Sequence, residues 1–212
     1  MRGDSRQEII VNAHMRLTYV CIYYKMSMVM KMIFTHKELE KIFKSDYQIK
    51  KKVAEGKIHK IDRGIYSDTP SVHPLEIITK KYPSAIFTMD SAFYFHGLTD
   101  AIPQKTHLAV IRTATRRIAY NNIVVVYVLE KLLSIGKTRI VFDGVSINIY
   151  DKERMLIELI RSKKKMAFDY YKEIINSYRA IVEELDTQAI EDYAKEFDTD
   201  EYIFKTIQEE VF

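Results

Sequence analysis

Lys50, Lys51 and Lys52 form a run of three ammonium groups, with Ser45, Tyr47 and Gln48 ahead of it and Lys57, Lys60 and Arg63 behind it. Lysine meets phosphate as a point charge, in a contact that is salt-dependent and blind to base sequence. Polar and aromatic side chains at the start of a helix are better placed to reach base edges. From Lys44 to Arg63 the chain carries seven Lys/Arg against three Asp/Glu. A charge run by itself more often marks a solvated helix face. The setting of this run, described below, shifts the reading towards nucleic acid.

Other residues that could do chemistry form no convincing constellation. Ile135-Gly136-Lys137-Thr138 looks like the end of a phosphate-binding loop, but the glycine required five residues earlier is Lys131. Ser91 lacks the flanking glycines of a nucleophile elbow. Asp90, Asp100, Asp143 and Asp151 are scattered carboxylates. Their spacing does not forbid a two-metal nuclease, and nothing positively supports one. Cys21 is the only cysteine, and the six histidines show no close metal-ligand spacing. The expectation is a protein that is not an enzyme and has neither metal nor cofactor.

The basic run sits between elements with clear punctuation. Thr35 and Glu38 spell a Thr-x-x-Glu capping box, followed by Leu39, Ile42 and Phe43 on one helical face. Ser45 and Gln48 spell a second box, with Ile49 and Val53 inward and Gly56 as the stop. Only Lys44 separates Phe43 from Ser45, so the turn is tight. Ile58, Ile61 and Ile65 around Asp62-Arg63-Gly64 then predict a two-stranded hairpin with an irregularity near Lys60. Two capped helices and a basic hairpin are the layout of a winged helix-turn-helix over residues 33–68.

The net charge of +4 conceals an asymmetry: residues 169–212 carry four Lys/Arg and thirteen Asp/Glu, a net of −9, which leaves +13 on residues 1–168. A basic body suits an acidic partner such as nucleic acid. The hydrophobic fraction of 47% is enough for a packed core. A lone cysteine suits a reducing cytoplasm. Leu17–Tyr24 is apolar but far short of the roughly 20 residues that span a bilayer, so no membrane partner is expected. Residues 1–32 read as an N-terminal extension, with the native start near Met26–Met32, or as a first helix.

Asp68-Thr-Pro-Ser-Val-His-Pro74 is the best linker, which leaves residues 69–212 as a second domain. Helices are predicted after Pro74, after Thr88 up to Gly97, and after Asp151. Three more are predicted over 169–184, 187–197 and 200–211, with Thr187 and Thr199 as caps. Strands are predicted at 106–111 and 123–128, and a hairpin at 140–150 around Asp143-Gly144. The fold class is α+β: a winged helix-turn-helix, then a mixed α/β domain with a helical C-terminal end. Arg154, in the first turn of a helix where a cation is disfavoured, calls for a carboxylate partner.

Three blocks carry a family resemblance: Gly56-Lys-Ile-His-Lys-Ile-Asp-Arg-Gly-Ile-Tyr66, Ser91-Ala92…His96-Gly97-Leu98-Thr99…Pro103, and Tyr150-Asp-Lys-Glu-Arg-Met-Leu-Ile-Glu158. In their order and spacing the chain resembles the AbiEi-type antitoxins of bacterial type IV (abortive-infection) toxin–antitoxin systems. The resemblance implies a winged helix that binds double-stranded operator DNA and represses its own operon. It also implies a second domain that counters a nucleotidyltransferase-type toxin, with Ser91, His96, Glu153 and Arg154 as its candidate residues. The alternative is a protein-interaction module that neutralises such a toxin with little or no DNA binding.

Overall fold

The computed structural model describes residues 32–113, 118 and 122–212. The reading of an N-terminal extension or first helix therefore lies almost wholly outside the described residues. The chain is α+β and forms two compact units, divided between Lys81 and Tyr82.

In the first unit, strand β1 (Ile33–Thr35) leads directly into helix α1 (His36–Phe43). The capping box closes: the Glu38 N–H donates to Thr35 Oγ1 at 3.3 Å, and the Thr35 N–H donates to Glu38 Oε2 at 2.7 Å. Lys44 makes the turn in a left-handed conformation, and helix α2 (Asp46–Ala54) follows. Strands β2 (His59–Asp62) and β3 (Ile65–Ser67) form the hairpin, with the register shift between Lys60 and Asp62. β1 adds to the free side of β3, giving the order β1-β3-β2. Leu39, Ile49, Ile58 and Tyr66 form the core, with Phe34, Ile42, Phe43 and Val53 packed around them.

Helix α3 (Pro74–Lys81) belongs to this unit, so the division falls beyond the proline-bearing connection. Two ion pairs hold it: Lys80 Nζ to Glu38 Oε1 at 2.8 Å and Lys81 Nζ to Asp62 Oδ2 at 2.6 Å.

The second unit contains strands β4 (Ile86–Phe87), β5 (Thr106–Ile111), β6 (Ile123–Val128), β7 (Lys137–Phe142) and β8 (Val145–Tyr150). Their order is β6-β5-β4-β8-β7, with β5–β6 and β4–β8 parallel and the other pairs antiparallel. The β7–β8 turn has positive φ at both Asp143 and Gly144, as a two-residue hairpin with matching twist requires. Helices α4 (Met89–Phe95) and α5 (Glu130–Leu133) connect strands. Helix α6 (Lys152–Ser162) follows β8 and opens on Asp151, whose carboxylate accepts from the Arg154 N–H at 2.8 Å. Helices α7 (Phe168–Ala180), α8 (Thr187–Ala194) and α9 (Asp200–Glu210) complete the unit. Asp186 caps α8 in place of Thr187, accepting from the Ala189 N–H at 3.0 Å. No helix among the described residues is long and apolar enough to cross a membrane.

α6 is the centre of this unit. It buries Arg154, Met155, Leu156, Ile157, Leu159 and Ile160, because it packs on α4 on one side and on α8 and α9 on another. Gly136 lies against its first turn at φ +67°, and an added Cβ would overlap Arg154 Cβ and come within 2.9 Å of Asp151 Oδ1. The glycine of Ile135-Gly136-Lys137-Thr138 thus serves close packing. Gly136→Ala combines left-handed strain with overpacking and is expected to destabilise the chain by about 2–4 kcal/mol, read by urea denaturation.

Candidate nucleic-acid interface

Burial of Ile49 sets the rotation of α2. With Ile49 in the core, Tyr47 is 71% exposed, and Gln48, Lys50 and Lys51 also face outward. The second capping box does not close. Ser45 starts the helix through its carbonyl, which accepts from the Ile49 N–H, but its side chain makes no cap bond. The same rotation that buries Ile49 turns Gln48 to solvent, away from the Ser45 amide. Helix α2 ends at Ala54, and Gly56, with φ +68°, turns the chain away just beyond it.

The seven cations from Lys44 to Arg63 are not equivalent. Lys50 Nζ meets Asp46 Oδ2 at 2.7 Å, one helical turn earlier. The hydrogen bond from Lys50 holds the Asp46 carboxyl below its ordinary range, and the same pair raises Lys50. Glu55 takes both Lys57, at 2.9 Å, and Lys52, at 3.3 Å, and is likewise held low by these two hydrogen bonds. A phosphate has to compete with a carboxylate for each of these three lysines. Lys51, Lys60 and Arg63 have no ion-pair partner among the described residues, and all three are exposed. Arg63 stands at the hairpin tip, where its N–H donates to Asp62 Oδ1 at 2.6 Å. Burial pushes the Asp62 carboxyl up, but the Lys81 ammonium and the Arg63 amide outweigh it and hold the group low. The hairpin is therefore anchored to α3 by an ionised carboxylate, and its basic tip is left outward.

Ser45, Tyr47, Gln48, Lys50, Lys51 and Lys52 thus share α2 and its entry, Lys57 lies in the connection before β2, and Lys60 and Arg63 follow on the hairpin. The carboxylates of Asp46 and Glu55 were the part not anticipated. The spacing of Asp46 and Lys50 could have shown the first; Glu55, placed between Lys52 and Lys57, needed the helix end to be known.

In the second unit, the residues implied by the resemblance each make contacts that hold the fold, and His96 feels the charge of Glu153. Ser91 is buried, and its Oγ accepts from the His107 N–H at 2.9 Å, tying α4 to β5. Glu153 Oε1 accepts from the Asp186 N–H at 3.1 Å. Arg154 is fully buried. Its guanidinium donates to Glu158 Oε1 at 2.7 Å and to the Leu132 carbonyl at 3.1 Å. It also lies over the rings of Tyr150 and Phe197, 4.8 and 4.6 Å from their centroids. The carboxylate that Arg154 calls for is Glu158.

His96 Nε2 lies 2.7 Å from the Tyr150 carbonyl. Burial lowers its pKa below the ordinary 6.5, against the effect of that hydrogen bond. The unfolded chain then binds this proton more readily than the folded one, so the contribution is lost as pH falls through about 6.5 towards the depressed value. Stability is expected to fall as the pH drops below about 6.5. His96→Gln, which keeps a donor to the carbonyl, should flatten that fall in a pH series of thermal melts.

No family model matches the chain, and no curated protein matches it. Among the described residues, no group of three or more His, Cys, Asp or Glu side chains is placed to hold a metal ion.

Proposed function

We propose that this protein is a DNA-binding antitoxin that represses its own operon through a winged helix-turn-helix. One observation carries the DNA half: Lys51, Lys60 and Arg63 are exposed and have no ion-pair partner among the described residues, and Tyr47 and Gln48 face outward on α2. α2 is the recognition helix, and β2 with β3 is the wing. Tyr47, Gln48 and the Ser45 hydroxyl reach base edges from the start of α2, as in other helix-turn-helix readers. Lys51 and, on the wing, Lys60 and Arg63 hold phosphates. The antitoxin half rests on the order of the three sequence blocks. Its partner is a nucleotidyltransferase-type toxin, and its setting is the cytoplasm.

A second reading, toxin neutralisation with little DNA binding, is favoured by the internal pairing of Lys50, Lys52 and Lys57. Two assays on the full chain separate the readings. A promoter–reporter fusion should be repressed by the wild type and released by Lys51→Glu/Lys60→Glu/Arg63→Glu. Growth rescue against the product of the adjacent gene should survive the same changes. Rescue without repression by the wild type supports the second reading, and failure of both assays removes both.

A further inference from the structure

The Ser91–Pro103 block does more than fill a core: it frames a cleft. Met89 has φ +46°, a left-handed conformation that a non-glycine residue adopts only when its surroundings impose it. This bend sets Asp90 at the start of α4. Ser91 fixes the neighbouring strand by accepting from the His107 N–H. Thr99 donates to Glu173 Oε1 at 2.6 Å and accepts from the Ala101 N–H at 3.1 Å, which ties the loop before β5 to α7. α7 brings Tyr170. The result is an open cleft of about 360 Å³ whose lining includes Asp90, His107, Tyr170, Lys105, Ile102 and Pro103. That volume lies within the roughly 300–1,000 Å³ of small-molecule sites.

The chemistry of the lining narrows the occupant. The half-exposed Asp90 carboxylate stands 3.8 Å from His107 Nε2 and beside the Tyr170 hydroxyl. Burial, with Asp90 and Glu173, raises the Tyr170 phenol, so that it stays a neutral donor. Burial holds the His107 imidazole low, against the pull of Asp90. A carboxylate has about four acceptor positions. The cleft therefore offers an acceptor that its neighbours do not exhaust, beside the aromatic side chain of Tyr170. Ile102, 76% exposed, and Pro103 add an apolar lip to the lining, and Lys105 adds a cation.

We infer that this cleft binds a guanine nucleotide, with the base between Tyr170 and the Ile102–Pro103 lip, its adjacent N–H donors on Asp90, and its phosphate on Lys105. Guanine is the base whose pairing edge offers two neighbouring donors to one carboxylate. An arginine side chain of a protein partner offers the same donors but would meet Lys105 as a like charge. The nucleotide is either free or the end of a single strand.

Calorimetric titration of the full chain tests this with guanosine monophosphate, adenosine monophosphate, guanosine, an arginine amide and a short single-stranded RNA ending in guanine. Guanosine monophosphate should bind at least about ten-fold tighter than its adenosine counterpart. Asp90→Asn should weaken it at least about ten-fold, the cost of one charge-assisted pair. Lys105→Ala, on the surface and without risk to folding, should weaken the nucleotide and leave guanosine unchanged. Binding of the RNA alone assigns the cleft to a strand end. The inference is overturned if no guanine probe saturates, if adenosine monophosphate binds equally well, if the arginine amide binds more tightly, or if both variants bind as the wild type does.

Discussion

Glu158→Ala is expected to be the most damaging single substitution in the second unit, at about 3–5 kcal/mol, because it strips the carboxylate from a fully buried guanidinium. Arg154 keeps its bond to the Leu132 carbonyl and its two aromatic faces, but neither neutralises it. Glu158 also pairs with Arg161 at 2.9 Å, and that more exposed partner contributes less. A loss of this size is a large share of the 5–15 kcal/mol typical of a domain. The double change Arg154→Met/Glu158→Leu removes both charges and should recover most of it, since buried pairs exchange for apolar groups at little net cost. Circular dichroism is the suitable probe in a urea titration, because the chain has no tryptophan. Equal losses in the single and double variants would show that the pair is not what stabilises α6.

The second large effect concerns DNA. Lys51→Glu/Lys60→Glu/Arg63→Glu replaces three cations that have no ion-pair partner among the described residues with anions, which would repel phosphate if this surface meets DNA as proposed. If each holds one phosphate, the slope of log affinity against log salt should fall by about three. Three such contacts alone make wild-type affinity fall roughly forty-fold for a four-fold rise in salt. With reversal added, affinity at moderate salt should drop at least about a hundred-fold. Lys50→Glu, made beside Asp46, is the control: its charge is already engaged, so its loss should cost less than reversal of Lys51. Tyr47→Ala and Gln48→Ala should act differently, lowering preference for the operator by about 1–3 kcal/mol each while leaving the salt slope in place.

Much of this was legible in the sequence where a local rule applies. The Thr35–Glu38 box, Pro74 in the first turn of α3, Asp151 ahead of α6 and the Asp143-Gly144 turn all act through bonds within a few residues. β1 and β4 were not legible, being three and two residues long and held by partners far away in the chain. β7 begins before its apolar residues because its N-terminal half, Lys137 and Arg139, is an exposed edge. The need of Arg154 for a carboxylate followed from its place in a helix. Its stacking on Phe197 and its bond to Leu132 are tertiary and leave no local trace. The Asp90–His107–Tyr170 cleft was hidden for the same reason, since its three side chains come from three separate elements. The division of the basic run into paired and unpaired lysines depends on where Asp46 and Glu55 fall around α2, which needs the helix boundaries.

The measurement that bears most directly on the proposed function is fluorescence anisotropy of the full chain on a labelled duplex from its own promoter, titrated across a salt series. Saturable binding is expected at low salt, weakening steeply as salt rises, preferring the promoter over scrambled duplex, and losing about three units of slope in Lys51→Glu/Lys60→Glu/Arg63→Glu. No binding at low salt, or a triple variant that binds with the wild-type slope, would contradict it.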